Sequence, residues 1–183
     1  KAKVPVAIYA LSRTKEPNGD ILSDRTVQWT PTAHRILLPD PIPEALANEW
    51  VRHGGRPKDL RRARWLARKW RQSGVRCVHT HFLGFSSALA AVACTLAGIP
   101  LVVTIHARGI LVPDSLAPFT LKYASALISI SGATFHAVQQ RVGRMSTIIP
   151  LPVEKADKAP ANRRPFHILT VGRGVPKKGY PTM

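Results

Sequence analysis

The sequence contains few acidic residues, few cysteines and no long apolar run. Only 10 Asp and Glu accompany 27 Lys and Arg among 183 residues, so the formal net charge is +17. The longest apolar stretches, residues 88–97 and 101–105, are far shorter than the ~20 residues of a membrane-spanning helix. The two cysteines, Cys77 and Cys94, exclude a disulfide scaffold, and each lies in an apolar segment where it is predicted to be a reduced core residue.

The shortage of acidic residues leaves a strongly basic chain. A surplus of positive charge attracts anions, so nucleic acid, anionic lipid headgroups and phosphorylated small substrates are all candidate partners. Hydrophobic residues make up 45% of the sequence, which is enough to form a core and excludes a fully disordered chain. The length fits one domain of roughly 100–200 residues, with room for part of a second.

The second half of the chain alternates between predicted strands and predicted helices. Strands are expected at residues 75–80, 101–106, 126–130 and 147–149, and helices at 86–97 and 133–142. Upstream, the pattern predicts a strand at 4–11, strand-forming pieces near 26–29 and 35–38, and helices at 43–52 and 57–73. Because parallel strands are joined only by crossovers, this alternation predicts a doubly wound α/β domain.

The predicted helix at 57–73 is amphipathic. Its apolar residues recur at helical spacing, and its arginines and Trp65 lie on the opposite side. The apolar positions are Leu60, Ala63, Leu66, Ala67 and Trp70. Two interpretations remain open: an ordinary outer helix packed on the sheet, or a helix whose basic face rests on anionic headgroups.

Polar side chains stand where three successive predicted strands end. His79 and His81 mark the first strand end, His106 the next and Ser131 the third. Ligands of open parallel sheets bind beyond the carboxyl ends of the strands, so His81, His106 and Ser131 are predicted to share one site. His79 and His81 face the same way on an extended chain, but no acidic or cysteine ligand stands near them, so no metal is predicted.

A second constellation follows a Pro- and Lys-rich stretch at residues 150–165. The sequence VGRGVPKKG places Gly172, Arg173 and Lys178 around a turn after a strand, where the two cations can hold a diphosphate from two sides. A solvated basic turn is the alternative interpretation. The Pro-rich stretch is typical of a linker, so a boundary is predicted near Pro160, with domains at 1–160 and 161–183.

These motifs, in this order, resemble the family 4 retaining glycosyltransferases, especially members of the exopolysaccharide and colanic-acid type. The matching stretches are VHTHF (78–82), GIPLVVTIHARGI (98–110), ALISISGAT (126–134), IIPLPVE (148–154) and VGRGVPKKGYPTM (171–183). The resemblance implies a GT-B fold of two facing Rossmann-like domains. Residues 1–160 would be the acceptor-side Rossmann-like domain without its first strand and helix, and 161–183 the start of the donor-binding domain. A fragment cut in this way is not expected to turn over alone.

The resemblance also implies roles for single residues. His106 would be the catalytic histidine that touches the transferring sugar or its phosphate, while His81 and Ser131 would line the acceptor cleft. The donor diphosphate would be bound by Gly172, Arg173 and Lys178. One position departs from the family, because Gly109 stands where the related subset often has Asp.

The predicted function is transfer of a sugar from a nucleotide-sugar to a lipid-linked or polysaccharide acceptor, with retention of anomeric configuration. The nucleotide-sugar is a substrate, and no cofactor is expected. The predicted location is the cytoplasm, with an anionic membrane surface as a further candidate partner. A nucleic-acid-binding module is the first alternative, although the aromatic stacking platform and helix-turn-helix pattern of such proteins are missing. A non-catalytic sugar-binding module is the second.

Overall fold

The computed structural model describes residues 8–10 and 27–29 by their backbone, and residues 41–112 and 114–152 with their side chains. The chain divides after Leu151 into two units, and the described residues up to that point belong to the first. The predicted boundary near Pro160, the predicted strand-forming piece at 35–38 and the predicted diphosphate residues Gly172, Arg173 and Lys178 lie outside the described residues.

The helices and strands predicted in the second half of the chain are present up to Ile148, and the structure adds two short helices between Ile105 and Ala126. The strands are β1 (Ile8–Ala10), β2 (Val27–Trp29), β3 (Val78–His81), β4 (Leu101–Ile105), β5 (Ala126–Ser129) and β6 (Thr147–Ile148). The helices are α1 (Glu44–Arg52), α2 (Leu60–Gln72, preceded by a 3-10 turn at Pro57–Asp59), α3 (Phe85–Ala97), α4 (Ala107–Leu111), α5 (Ala117–Tyr123) and α6 (Gly132–Val142). None of the helices in this part of the chain is long and apolar enough to cross a bilayer.

Four strands form a parallel sheet in the order β3-β4-β5-β6, and β1 pairs with β2 in parallel. The strand order follows the chain order, so every connection within this sheet is a crossover in the same direction. Because such crossovers are right-handed, α3, α5 and α6 lie on the same face. The predicted α/β class, a Rossmann-like parallel sheet flanked by helices, is confirmed.

The two faces of the sheet differ in burial. The covered face carries Leu101, Val103, Ile105, Leu127 and Ser129, all buried. The histidine face, named for the two exposed histidines of β3, carries His79, His81, Val102, Thr104 and Ile128, of which only Thr104 is buried. Side chains alternate between faces along a strand, and laterally paired residues share a face, so the register alone produces this segregation.

Helices α1 and α2 add a further layer against α3 and α5. All five apolar positions predicted for α2 are buried, which confirms the amphipathic pattern. Helix α3 is rich in alanine, and its small side chains let α2 pack closely against it. From α1, the indole of Trp50 is fully buried, with its ring 5.6 Å from that of Phe119, and its Nε1 donates to the carbonyl of Arg56 at 3.0 Å.

A polar cluster joins α1 to α5. The Glu49 carboxylate lies 2.7 Å from Lys122 Nζ and accepts a hydrogen bond from the Tyr123 hydroxyl at 2.6 Å. These hydrogen bonds, with that of Lys122 the stronger influence, lower the pKa of Glu49 below its ordinary value of 4.5. A largely buried carboxylate is tolerated here because its oxygens are paired with a cation and a hydroxyl.

Two short helices between β4 and β5 were not predicted from the sequence. The last carbonyls of each helix accept hydrogen bonds from an arginine far away in the sequence. Arg141 donates to the carbonyl of Ile110 at 2.9 Å. Arg144 donates to the carbonyls of Leu121 and Ala124. Free carbonyls at helix ends are commonly satisfied by basic side chains. Partners 20 to 31 residues away leave no local signal in the sequence.

The two cysteines have different environments. Cys94 is buried in α3, as predicted, and burial raises the pKa of its thiol to about 12. The prediction for Cys77 is wrong, because this thiol is exposed. The reason is that β3 begins at Val78, three residues later than the apolar pattern suggests, and Cys77 precedes the strand rather than packing within it.

Candidate functional site

His81 and His106 meet at the carboxyl edge of the sheet. His81 is the last residue of β3 and pairs with Thr104, while His106 directly follows β4. The Nδ1 atom of His81 lies 3.2 Å from Nε2 of His106, so one ring donates a hydrogen bond and the other accepts it. The structure therefore brings together two of the three residues that the strand-end argument selected.

His79 extends this array along the histidine face. Its Nε2 lies 2.7 Å from the Thr104 hydroxyl, and its ring centroid is 4.7 Å from that of His81, as the alternation along the strand predicts. Among the described residues, no group of three or more His, Cys, Asp or Glu side chains is arranged to hold a metal ion.

Two of these histidines have lowered pKa values. Burial, and then the neighbouring His81, lower the pKa of both His79 and His106 below the ordinary 6.5. The physical cause is that a partly desolvated imidazole resists protonation, and a second imidazole nearby resists a second positive charge. The lowered pKa of His106 favours a neutral, hydrogen-bonding imidazole over a cation.

Phe82 has an unusual backbone conformation, and its ring stacks on that of His106. Its φ of 68° lies in the left-handed region, which a non-glycine residue rarely occupies. Both of its backbone polar groups are held: its N–H donates to the carbonyl of Thr104 at 2.9 Å, and its carbonyl accepts from the Ser87 hydroxyl at 2.6 Å. The phenyl ring stacks on the imidazole of His106 with centroids 4.2 Å apart and planes inclined by 25°.

Ser131 lies at the same edge of the sheet, but its side chain caps a helix. Its strand, β5, is the neighbour of β4, and Ser129 pairs with Ile105, the residue before His106. The Ser131 hydroxyl accepts a hydrogen bond from the backbone N–H of Thr134 at 3.2 Å and so caps the N-terminus of α6. Its side chain is thus engaged in helix capping, as a Ser before a helix usually is.

Gly109 lies where α4 closely approaches the segment that follows β3. A Cβ atom at this position would lie 2.9 Å from the backbone nitrogen of Leu83 and 3.1 Å from the Leu83 Cβ. Helix α4 therefore packs directly against the segment that follows β3. Any side chain at position 109 would push apart the two segments that carry Phe82 and His106.

Sequence reasoning did not single out Phe82, Thr104 or Ser87 as parts of the site. Thr104 could have been predicted, because the alternation of side chains along β4 places it on the same face as the histidines. The left-handed conformation of Phe82 had no such signal, since a phenylalanine after a strand does not usually adopt it.

Comparison with known families agrees with the geometry. A family model described as "Glycosyl transferase 4-like domain" matches residues 3–152, which include β1 to β6 and every histidine of the array. No significant match to a curated protein is found. Since the match covers most of the sequence, the chain belongs to the glycosyl transferase 4-like domain family.

Proposed function

We propose that this chain forms the acceptor side of a glycosyltransferase that moves a sugar from a nucleotide-sugar to a lipid-linked or polysaccharide acceptor, with retention of anomeric configuration. The observation that carries the proposal is the pair formed by His81 and His106 at the carboxyl edge of the sheet. In open parallel sheets this edge is where ligands bind. Membership of a glycosyltransferase family makes a sugar the expected ligand.

The chemistry of the pair suits a sugar hydroxyl. When both rings are neutral, the nitrogen that donates and the nitrogen that accepts face each other. The donating ring then keeps a free acceptor nitrogen, and the accepting ring keeps a free N–H. The neutral pair therefore offers one donor and one acceptor on opposite sides of the contact, and two hydroxyl groups of one sugar can satisfy them. The lowered pKa of His106 favours this neutral role over pairing with a phosphate.

Exposed apolar side chains close in sequence to the pair support an acceptor with a lipid component. Phe82 follows β3 and is 51% exposed, while Leu111 and Val112 lie at the end of α4, which follows His106, and are 54% and 55% exposed. Large apolar side chains exposed on neighbouring segments are typical of ligand or membrane contact. In the proposal, these residues meet the apolar part of the acceptor next to its sugar.

The donor side of the proposal rests on residues beyond the described ranges. Arg173 and Lys178, with Gly172 allowing close approach, would bind the diphosphate of the nucleotide-sugar and stabilise its charge as the glycosidic bond breaks. The reaction needs no further cofactor in this scheme. The exopolysaccharide type of acceptor belongs to the same proposal and rests on the motif resemblance.

The outer face of α2 supports a second part of the proposal, contact with an anionic membrane surface. Arg61, Arg68 and Arg71 are exposed on the side opposite the buried residues of α2. Trp65 lies beside Arg68 and Lys69 at an open surface depression. A basic helix face with an indole among the cations matches the chemistry of anionic headgroups, to which each cation near the surface contributes about 1 kcal/mol.

Saccharide binding tests the acceptor site. The full chain is titrated with a panel of lipid-linked saccharides with shortened tails and with free oligosaccharides, using equilibrium dialysis. His81→Ala and His106→Ala are each expected to weaken binding of the preferred saccharide about tenfold, the loss of about 1.4 kcal/mol of hydrogen bonding. His136→Ala is the matched control, since His136 is an exposed histidine on α6. Unchanged binding in the first two variants, or no binding by the parent chain, contradicts the proposal.

Vesicle sedimentation tests the membrane contact. The chain is expected to sediment with vesicles that contain phosphatidylglycerol and to remain in the supernatant with phosphatidylcholine alone. Arg68→Glu should reduce the bound fraction about fivefold, whereas Arg76→Glu, an exposed arginine before β3, should reduce it less. Tight binding to DNA or RNA with a steep salt dependence, and none to anionic vesicles, would favour the nucleic-acid alternative.

A further inference from the structure

Phe82 has a backbone conformation that the acceptor proposal does not explain. It is a large apolar residue in a left-handed backbone conformation, and half of its surface is exposed. The left-handed region brings Cβ close to the following carbonyl oxygen, so a phenylalanine there is less stable than a glycine would be. Strained residues of this kind persist where surrounding structure holds them, and they are concentrated at functional sites.

The surrounding structure holds Phe82 from two directions. On one side, its N–H continues the ladder between β3 and β4 by donating to the carbonyl of Thr104. On the other, the buried Ser87 in the first turn of α3 donates to the Phe82 carbonyl at 2.6 Å and lies 3.3 Å from the His81 carbonyl. The backbone at this position is therefore fixed by hydrogen bonds that do not depend on the phenyl ring.

The result of this fixed conformation is the position of the ring. The phenyl group lies with its face on the imidazole of His106, and the ring centroids are 4.2 Å apart. The opposite contact of His106 is the hydrogen bond to His81 at 3.2 Å. The His106 side chain makes no capping hydrogen bond to α4, so within the described residues these two contacts are the ones that orient the imidazole. Stacking limits rotation of the ring about its side-chain bonds and so limits where Nε2 points.

We propose that Phe82 is a positioning residue for His106, whose stacked ring keeps the imidazole within hydrogen-bond distance of His81. The left-handed backbone conformation of Phe82 places the phenyl ring over the imidazole of His106. The inference rests on the proposed role of the histidine pair in acceptor binding. Ring placement is a property of the chain without ligand, however, and can be measured separately.

Three variants at this position separate the effects of the aromatic ring, of the backbone strain and of overall stability. Phe82→Leu removes the aromatic face and keeps an apolar side chain, whereas Phe82→Tyr keeps the face and is the conservative rescue. Phe82→Gly removes the ring and relieves the strain at φ 68°. For Phe82→Gly we expect a melting temperature at or above that of the parent chain together with a loosened His106, an outcome that a purely structural role does not produce.

Nuclear magnetic resonance of the ligand-free full chain with isotope-labelled histidine gives the readout. In the parent chain and in Phe82→Tyr, the imidazole protons of His106 should carry a ring-current shift and show a nuclear Overhauser effect to His81. Both signals should be lost in Phe82→Leu and in Phe82→Gly. Phe135→Leu is the matched control, because Phe135 contacts the ring of His136 elsewhere, at 5.4 Å. That variant should change the signals of His136 and leave those of His106 unchanged.

The proposal is overturned if Phe82→Leu and Phe82→Gly keep the His106 shift and its Overhauser effect to His81. It is also overturned if Phe82→Gly unfolds the chain, since Phe82 would then be needed for folding rather than for positioning. Saccharide titration of the same variants tests the link to function. A loosened His106 with unchanged saccharide affinity leaves the positioning role intact and counts against the proposed acceptor site.

Discussion

The covered face and the histidine face belong to the same sheet, yet they are built by different means. On the covered face, Leu101, Val103 and Ile105 are fully buried beneath a helix of small residues, and apolar contact provides the stability. On the histidine face, the exposed imidazoles of His79 and His81 are held by single hydrogen bonds, and the half-buried His106 at its carboxyl edge is held by one hydrogen bond and one stacked phenyl ring. Packing therefore positions the helices and strands, while strand-end geometry and a few polar contacts position the candidate site residues.

The helical layer behind the covered face should be the most sensitive region. Trp50→Ala removes a fully buried indole that contacts Phe119 and donates to the Arg56 carbonyl. We expect a loss of about 3–5 kcal/mol in the free energy of unfolding, measured by urea denaturation. Trp65→Ala, at a half-exposed position of α2, should cost less than half as much. Equal losses in the two variants would contradict the contrast between buried and surface aromatics.

The next largest effect is expected where α4 packs against the segment after β3. Gly109→Ala places a methyl group 2.9 Å from the Leu83 nitrogen, so the two segments must separate. We expect a loss of about 1–3 kcal/mol in the free energy of unfolding and a weaker contact between His81 and His106. Gly132→Ala is the control, since its Cβ would enter open space. Equal stability of the two variants would show that the close approach carries no cost.

The contrast between the faces also explains which features were predictable. The periodicity of Leu60, Leu66 and Trp70 identified the buried side of α2, and the alternation of strands and helices identified the Rossmann-like sheet. Both follow from the geometry of helices and strands, which imposes a period on the sequence wherever one side is buried. The approach of His81 to His106 followed from the same rules, because parallel strands end at one edge.

The unpredicted features depend on contacts between distant residues. Helices α4 and α5 end at carbonyls that Arg141 and Arg144 satisfy, and neither pairing leaves a local pattern. The position of Phe82 over His106 requires a left-handed backbone that Ser87 and Thr104 stabilise from other elements. The exposure of Cys77 depended on a strand start that apolar content alone placed three residues too early.

In the helical layer, the contribution of Glu49 to the free energy of unfolding should depend on acidic pH. The pKa of Glu49 is lower in the folded chain than its ordinary value of 4.5, so its stabilising effect is complete above that value and is lost as pH falls through the folded pKa. Glu49→Gln should therefore cost about 1 kcal/mol at neutral pH and much less in acid. The check is the difference in unfolding free energy between parent and variant from pH 7 to pH 3. A constant difference would contradict the ion pair with Lys122.

The stability of the chain should also depend on the protonation of His106, at a higher pH than for Glu49. The pKa of His106 is lowered from 6.5, so the neutral form favours folding; this contribution is present above 6.5 and is lost as pH falls through the folded pKa. Between pH 7 and pH 5, the free energy of unfolding of the parent chain should fall more steeply than that of His106→Gln. The difference should be smaller than the one expected for Glu49→Gln. Identical slopes for the two proteins would show that the imidazole is not desolvated at this edge.

The smallest expected effect concerns the two thiols. Ellman's reagent should modify Cys77, which is exposed, and leave Cys94 unmodified in the folded chain, because the latter is buried and has a pKa of about 12. Cys77→Ser should abolish the reaction and change the free energy of unfolding by less than about 0.5 kcal/mol. Modification of two thiols per folded chain would contradict the burial of α3 behind the covered face.

The most direct test of the histidine pair as an acceptor site is a histidine-resolved spectrum of the chain as a lipid-linked saccharide is added. The predicted result is that the signals of His81 and His106 shift together with one saturating dependence on saccharide concentration, while those of His53 and His136 stay unchanged. Saturable binding that shifts His53 or His136 and leaves the pair unaffected would contradict the account.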